Sequence, residues 1–184
     1  MALLAAVAPT AAERGRPLPG DDLVPRPDVV MDRAFDLPAP PDRVWPWIVQ
    51  LGRGRAGWYL PRAAERFVPP SRRALRHVEP TLQHPAVGDT VPDWGGRDAG
   101  LTVALLQPPT ALVHTSVRGA TGLSWALVLR PATGGTTRMH LRLRLAPVRR
   151  RRLVRAGGGL LDELTVAALA AGLRERLRDR PGGA

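Results

Sequence analysis

Residues 136–145 read T-T-R-M-H-L-R-L-R-L. Met139, Leu141, Leu143 and Leu145 alternate with Arg138, His140, Arg142 and Arg144. A period of two places the first set on one face of a strand and the second on the other. One apolar face and one polar face is the pattern of an antiparallel sheet covered on one side only. The four apolar residues are therefore expected to face a core, and the Arg/His set to face water. His140 is then an exposed histidine.

Other segments supply the rest of such a sheet. Val29–Leu37 alternates in the same way, with Val29, Met31, Phe35 and Leu37 inward and Arg33 the one charged member of that set. Residues 101–107 and 111–117 are two apolar runs joined at Pro108-Pro109-Thr110, a connection short enough for an antiparallel hairpin. Residues 123–130 bring Leu123, Trp125, Leu127 and Leu129 to one face, and Thr133-Gly134-Gly135 turns the chain into 136–145. After Gly157, Gly158 and Gly159, residues 160–178 have helical spacing. Leu160, Leu164, Ala167, Ala168 and Ala171 form its apolar stripe, and Arg174, Glu175, Arg176 and Arg178 its wet end.

The stretch 38–59, PAPPDRVWPWIVQLGRGRAGWY, carries the sharpest change from extended to helical pattern. Pro40-Pro41-Asp42 is a helix start, because proline in the first turn gives up no needed hydrogen bond. Val44, Trp47, Ile48 and Leu51 then recur at helical spacing, and the glycines from Gly52 to Gly57 stop the helix. Trp58 and Tyr59 follow as core packing or as the wall of a cavity. Residues 60–67 suggest a second short helix, in which Glu65 would pair with Arg62 or Arg66. Residues 1–20, dense in Pro and Gly, read as a disordered or loosely attached lead, and 21–180 as one domain.

Several motifs in this order resemble one superfamily. Trp45-Pro46-Trp47-Ile48-Val49-Gln50-Leu51-Gly52-Arg53-Gly54-Arg55-Ala56-Gly57-Trp58-Tyr59 is followed by Glu79-Pro80-Thr81-Leu82-Gln83, Val87-Gly88-Asp89, Ser124-Trp125-Ala126 and the segment 134–138. The pattern resembles a bacterial branch of the SRPBCC superfamily, the START, Bet v 1 and polyketide-cyclase-like proteins. The resemblance implies an α+β helix-grip fold. A curved antiparallel β-sheet wraps around a long C-terminal α-helix, with two short helices after the first strand. It also implies a ligand cavity between sheet and last helix, for which Trp58, Tyr59, Trp94, His114, Trp125, Met139, Leu164 and Ala168 are the candidate lining.

The sequence contains little motif-grade chemistry. It has no cysteine, hence no disulfide and no thiolate site, which fits a cytoplasmic protein. There is no phosphate-binding loop, no dinucleotide fingerprint and no nucleophile elbow. The histidines His77, His84, His114 and His140 lack ligand-like spacing, so neither a metal nor another cofactor is expected. No run is long enough to span a membrane. His114 shares a strand face with Leu112 and Ser116. If that face points inward, it is a polar group inside a cavity, suited to acid–base work or to orienting a ligand. Glu79 and Asp89 lie in the irregular stretch. Asp162 and Glu163 suit the positive end of the last helix.

Three functional readings follow. The first is a binding or carrier protein for an apolar, lipid-like or aromatic molecule. The second is a polyketide-cyclase-like enzyme using the same cavity. The third is a basic interaction module. The chain has 27 basic and 16 acidic side chains and a net charge of +11, with every basic residue an arginine. Arg149, Arg150, Arg151, Arg152 and Arg155 are its densest cluster and would face an anionic surface.

Overall fold

The computed structural model describes residues 7–93, 99–149 and 157–179. Among the described residues six strands form one antiparallel sheet: β1 Val29–Leu37, β2 Thr90–Pro92, β3 Gly100–Gln107, β4 Ala111–Arg118, β5 Thr121–Ala132 and β6 Thr136–Ala146. Their order across the sheet is β1-β6-β5-β4-β3-β2. Successive hairpins build β2 through β6, and β1 closes the edge beside β6 in the register Phe35 opposite Met139. The α-helices among the described residues are α1 Ala11–Gly15, α2 Pro41–Val49, α3 Arg62–Glu65 and α4 Gly159–Arg178. This is the expected α+β helix-grip arrangement, with two short helices after the first strand and the long helix last.

The main core lies between the inner sheet face and the helices α2 and α4. Phe35, Leu127, Leu129, Met139, Ile48, Leu169 and Leu173 are fully or nearly fully buried in it. Burial of each such side chain contributes about 1.5–3 kcal/mol, the dominant favourable term for the fold. Arg33, the charged residue among the inward set of β1, reaches the start of α4. It donates to the Gly159 carbonyl at 2.7 Å and pairs with Asp162 at 3.1 Å.

The rotation of α4 differs from the apolar stripe read in the sequence. Val166, Leu169, Ala170, Leu173 and Leu177 are buried, whereas Leu160 and Leu164 are 54% and 50% exposed. Gly172 sets this rotation. A Cβ there would lie 2.6 Å from the Tyr59 carbonyl, so the helix meets the chain at Tyr59 and Leu60 backbone to backbone. Arg176, expected at the wet end, is buried. It pairs with Glu65 at 2.7 Å, donates to the Leu60 and Leu75 carbonyls, and lies 4.6 Å over the Tyr59 ring. Glu65 thus pairs with Arg176 and Arg76, not with Arg62 or Arg66.

The outer sheet face also differs from expectation: Val7 joins the main core at the β1 edge, its carbonyl accepting from the Ala34 amide at 3.0 Å, and the lead after it is packed against the outer face. Thr10 caps α1 in a reciprocal capping box with Glu13, and Glu13 grips Arg138 at 2.7 Å. Arg142 donates to the carbonyls of Arg14 and Arg16 and pairs with Asp21 and Asp32. His140 Nε2 lies 2.7 Å from Asp32 Oδ1. His140 and Arg142 are therefore buried, at 2% and 4% exposure, not solvated. A second apolar cluster of Leu18, Ala111, Val113, Ala126 and Val128 lies beneath the lead. Alternation correctly separated the two faces of β6; it did not show that both would be covered. Both arginine side chains are fully engaged, so burial leaves few donors unmet.

Candidate functional site

The inner face of β4 carries Leu112, His114 and Ser116, and His114 points inward with 6% exposure. Its strand partner on β3 is Val103, where the register slips by one residue before Leu105. Such a bulge bends the strand and re-aims the side chains beside it. On its other side His114 is paired with Trp125 of β5. The imidazole stacks on the Trp125 ring at 5.8 Å, and Trp125 stacks on Trp58 at 6.2 Å. Trp58 donates its indole N–H to the Thr165 carbonyl of α4 at 3.2 Å, tying this ladder of rings to the helix.

A cavity of about 170 Å³ opens beside His114. Val49 and Leu51 form one wall, and Val91, Val103 and Leu112 another. Arg55 and Asp89 supply the charged part of the lining. Gly52 and Gly57 bridge as an antiparallel pair, which closes the tight turn that presents Arg55. Arg55 donates to the carbonyls of Val49 and Leu82 at 3.0 and 2.8 Å. These bonds fix its guanidinium but leave Nε buried without a hydrogen-bond partner among the described residues. His114 Nδ1 is likewise buried without one. Burial, helped by the positive charge of Arg55, pushes the His114 pKa down to about 4, so the ring is neutral at pH 7. Burial also presses the Arg55 pKa down, while the Asp89 carboxylate works to restore it.

A larger groove of about 680 Å³ lies on the other side of Arg55. Arg53, Arg72 and Arg73 line it together with Trp58, Leu60 and Leu75. Neither the cavity nor the groove contains a residue of α4. The expected position, between sheet and last helix, is therefore not where these two hollows lie.

The sequence candidates separate accordingly. His114 lines the cavity, Trp58 the groove, and Trp125 connects the two through its stacked neighbours. Tyr59 is fully buried, with its hydroxyl donating to the Trp47 carbonyl at 2.9 Å and burial raising its pKa. Met139 is a core residue with no exposure. Leu164 is half exposed on α4, and Ala168 is partly buried away from both hollows. Trp94 lies outside the described residues. Arg55 was missed as a site residue. Its place in the glycine-rich turn was visible, but its aim into a cavity depends on β2 and β3 folding over it.

The motifs that carried the family resemblance supply part of both hollows, Val49, Leu51, Arg55 and Asp89 in the cavity and Arg53 and Trp58 in the groove, and they are also joined to one another. Gln50 has no exposure. Its side-chain carbonyl accepts from the Glu79 amide at 2.9 Å and from Gln83 Nε2 at 3.0 Å, and its own amide donates to the His77 carbonyl at 3.1 Å. The first motif thus locks the second in place.

Comparison with solved structures gives the same architecture. Protein MLL2253 of Mesorhizobium loti superposes with a TM-score of 0.50 at 17% identity, over 83% of this chain and 100% of that one. Protein CV1439 of Chromobacterium violaceum gives 0.52 at 15% identity, over 82% and 98%. The Polyketide_cyc-like protein Cgl2372 of Corynebacterium glutamicum aligns over 83% and 88% at 17% identity, with a TM-score of 0.39. At these identities the likeness to the first two shows a shared fold alone, the curved antiparallel sheet with a long last helix described above. No family model and no curated protein matches the sequence. Among the described residues no helix is long and apolar enough to cross a membrane, and no cluster of His, Cys, Asp and Glu could hold a metal ion.

Proposed function

We propose that this protein binds a small organic molecule in the cavity beside His114, with one ring or its equivalent enclosed and a hydrogen-bonding substituent facing His114 and Arg55. The observation that carries the reading is the pair of buried, unpartnered atoms, His114 Nδ1 and Arg55 Nε, on residues lining one small cavity. A buried polar group without a partner costs about 1–3 kcal/mol. Two at one hollow are a standing demand that a ligand would meet. A cavity of about 150 Å³ holds a benzene ring, so the observed volume suits a single ring better than a lipid chain.

A second reading, catalysis in the same cavity, is favoured by the inward aim of His114. A histidine with its pKa near 4 is a weak base at neutral pH. Orienting a ligand is therefore the stronger role until an anionic substrate raises that pKa. The third reading, a basic interaction module, rests on Arg149, which is exposed, and on Arg150, Arg151, Arg152 and Arg155, which lie outside the described residues.

The test is a titration with benzoate and phenol followed through the His114 ring resonances by NMR. Saturable shifts in the parent, abolished by Val103→Phe with the fold retained, are expected. A parent that shows no saturable shift with either probe, and a Val103→Phe variant that is simply more stable, would overturn the reading.

A further inference from the structure

The larger groove raises a separate question, because its lining contains four arginines, Arg53, Arg55, Arg72 and Arg73, and no carboxylate among the described residues. Elsewhere in this protein arginines at fixed positions are paired: Arg76, Arg138, Arg142 and Arg176 each have a carboxylate within hydrogen-bonding distance. Arg53, Arg72 and Arg73 have none within 4 Å among the described residues. Two of them are nonetheless anchored. Arg53 donates Nη1 to the Asp93 carbonyl at 2.9 Å, and Arg73 donates Nε to the Val68 carbonyl at 2.9 Å. Each bond engages one donor of a five-donor fork and leaves the remainder available in a restrained position.

The backbone adds to this. In the turn closed by Gly52 and Gly57, the amides of Arg53 and Gly54 donate to no backbone carbonyl among the described residues. Gly54 adopts a left-handed conformation, with φ of 71°. Successive free amides around a left-handed residue form a concavity suited to anions. Trp58, Leu60 and Leu75 give the same groove an apolar strip.

We propose that this groove binds a small phosphate-bearing molecule, its phosphate or pyrophosphate held by Arg53, Arg72 and Arg73 and its apolar part lying on Trp58, Leu60 and Leu75. Planar guanidinium forks match phosphate oxygens two at a time, which makes convergent arginines a phosphate site in preference to a single-carboxylate site. A groove of about 680 Å³ favours a small molecule over a nucleic acid strand or a membrane surface. The proposal stands independently of the His114 cavity, although Arg55 lines both hollows and a ligand in one would be felt in the other.

The experiment is calorimetric titration of the full chain with inorganic pyrophosphate at low salt, comparing two double variants of equal charge change. Arg72→Gln with Arg73→Gln removes groove arginines. Arg26→Gln with Arg43→Gln removes exposed arginines that make no ion pair among the described residues. One-to-one binding, weakened about tenfold or more by the first pair and less than about twofold by the second, is expected, since two charge-assisted contacts together exceed the 1.4 kcal/mol that tenfold requires. Equal weakening by both pairs would overturn the proposal, because the positive charge would then act diffusely. Absence of pyrophosphate binding, or a single-stranded RNA that binds and is not displaced by pyrophosphate, would overturn it as well. Should the first double variant melt early, Arg72→Gln alone, which breaks no hydrogen bond in the structure, gives the same reading.

Discussion

Gly172 of α4 lies against the Tyr59 carbonyl so closely that even a methyl group would stand 2.6 Å from it. The neighbouring atoms are backbone, which cannot swing aside as a side chain would. The helix is therefore held at a distance that only glycine permits, in spite of the cost of about 1 kcal/mol that glycine brings to a helix interior. Gly172→Ala is expected to destabilise the protein by about 1–3 kcal/mol, as overpacking does, although alanine is the better helix former. A thermal melt shows this as a fall of several degrees. A rise in Tm would mean that α4 is held less tightly than the structure shows.

Gln50 offers a second check. It is buried and bonds to His77, Glu79 and Gln83, so its loss unpairs the His77 carbonyl and the Glu79 amide in a segment with little regular structure, while Gln83 keeps the Pro46 and Glu79 carbonyls. Gln50→Ala should cost about 2–4 kcal/mol by denaturant unfolding, counting the unpaired groups and the void. Gln50→Glu should be at least as harmful, because a carboxylate would face the His77 carbonyl. Exposed Arg43→Gln on the same helix should leave the midpoint unchanged.

The strands and the long helix were legible because their signals are periodic and local. β1 and α4 fall almost where the alternation and the helical spacing place them. The rotation of α4 was not legible, since its alanines and leucines supply apolar positions all round and a single close contact at Gly172 decides between them. The burial of His140 and Arg142 was equally hidden. Polar side chains in a strand normally imply water, and only the distant Glu13, Asp21 and the lead carbonyls show that they meet protein instead. His114 could be placed on a strand face with Leu112, but which face was inner required the whole sheet. The motifs that announced the fold do two things: Gln50 ties the second to the first, and Val49, Leu51, Arg55 and Asp89 within them line the cavity.

The attachment of the lead should depend on acid. The hydrogen bond from Arg138, together with its charge, holds Glu13 down to about 2, against 4.5 when free. Asp32 is also held below its ordinary value: burial opposes its charge, but hydrogen bonds from His140 and Arg142 outweigh that. A carboxylate with a lowered folded pKa contributes its stability above the unfolded value and loses it as pH falls. The Glu13 contact should therefore be intact above pH 4.5 and vanish progressively toward about pH 2. Limited proteolysis should cut near α1 only at the acid end of that range. Glu13→Gln should move the onset of cutting to neutral pH.

His114 should control stability in a different window, with the opposite kind of group. In the unfolded chain its pKa is near 6.5, whereas burial and the nearby Arg55 lower it to about 4 in the folded state. Between those values the unfolded state binds more protons than the folded one, so stability falls as pH is lowered from about 6.5 and levels off below about 4. Each unit of the gap is worth about 1.4 kcal/mol at most. His114→Gln removes the proton uptake while keeping a polar side chain of similar reach. The variant should therefore show a flatter stability curve than the parent over that interval, measured by urea unfolding at successive pH values. The same curve gives a ligand-independent check on the cavity. An anion bound beside Arg55 would favour the imidazolium and raise the folded pKa, so a bound carboxylate should make the parent's acid loss shallower and leave His114→Gln unaffected. Identical curves for parent and variant without ligand would show that His114 is solvated in the folded protein, and the cavity reading would fall with it.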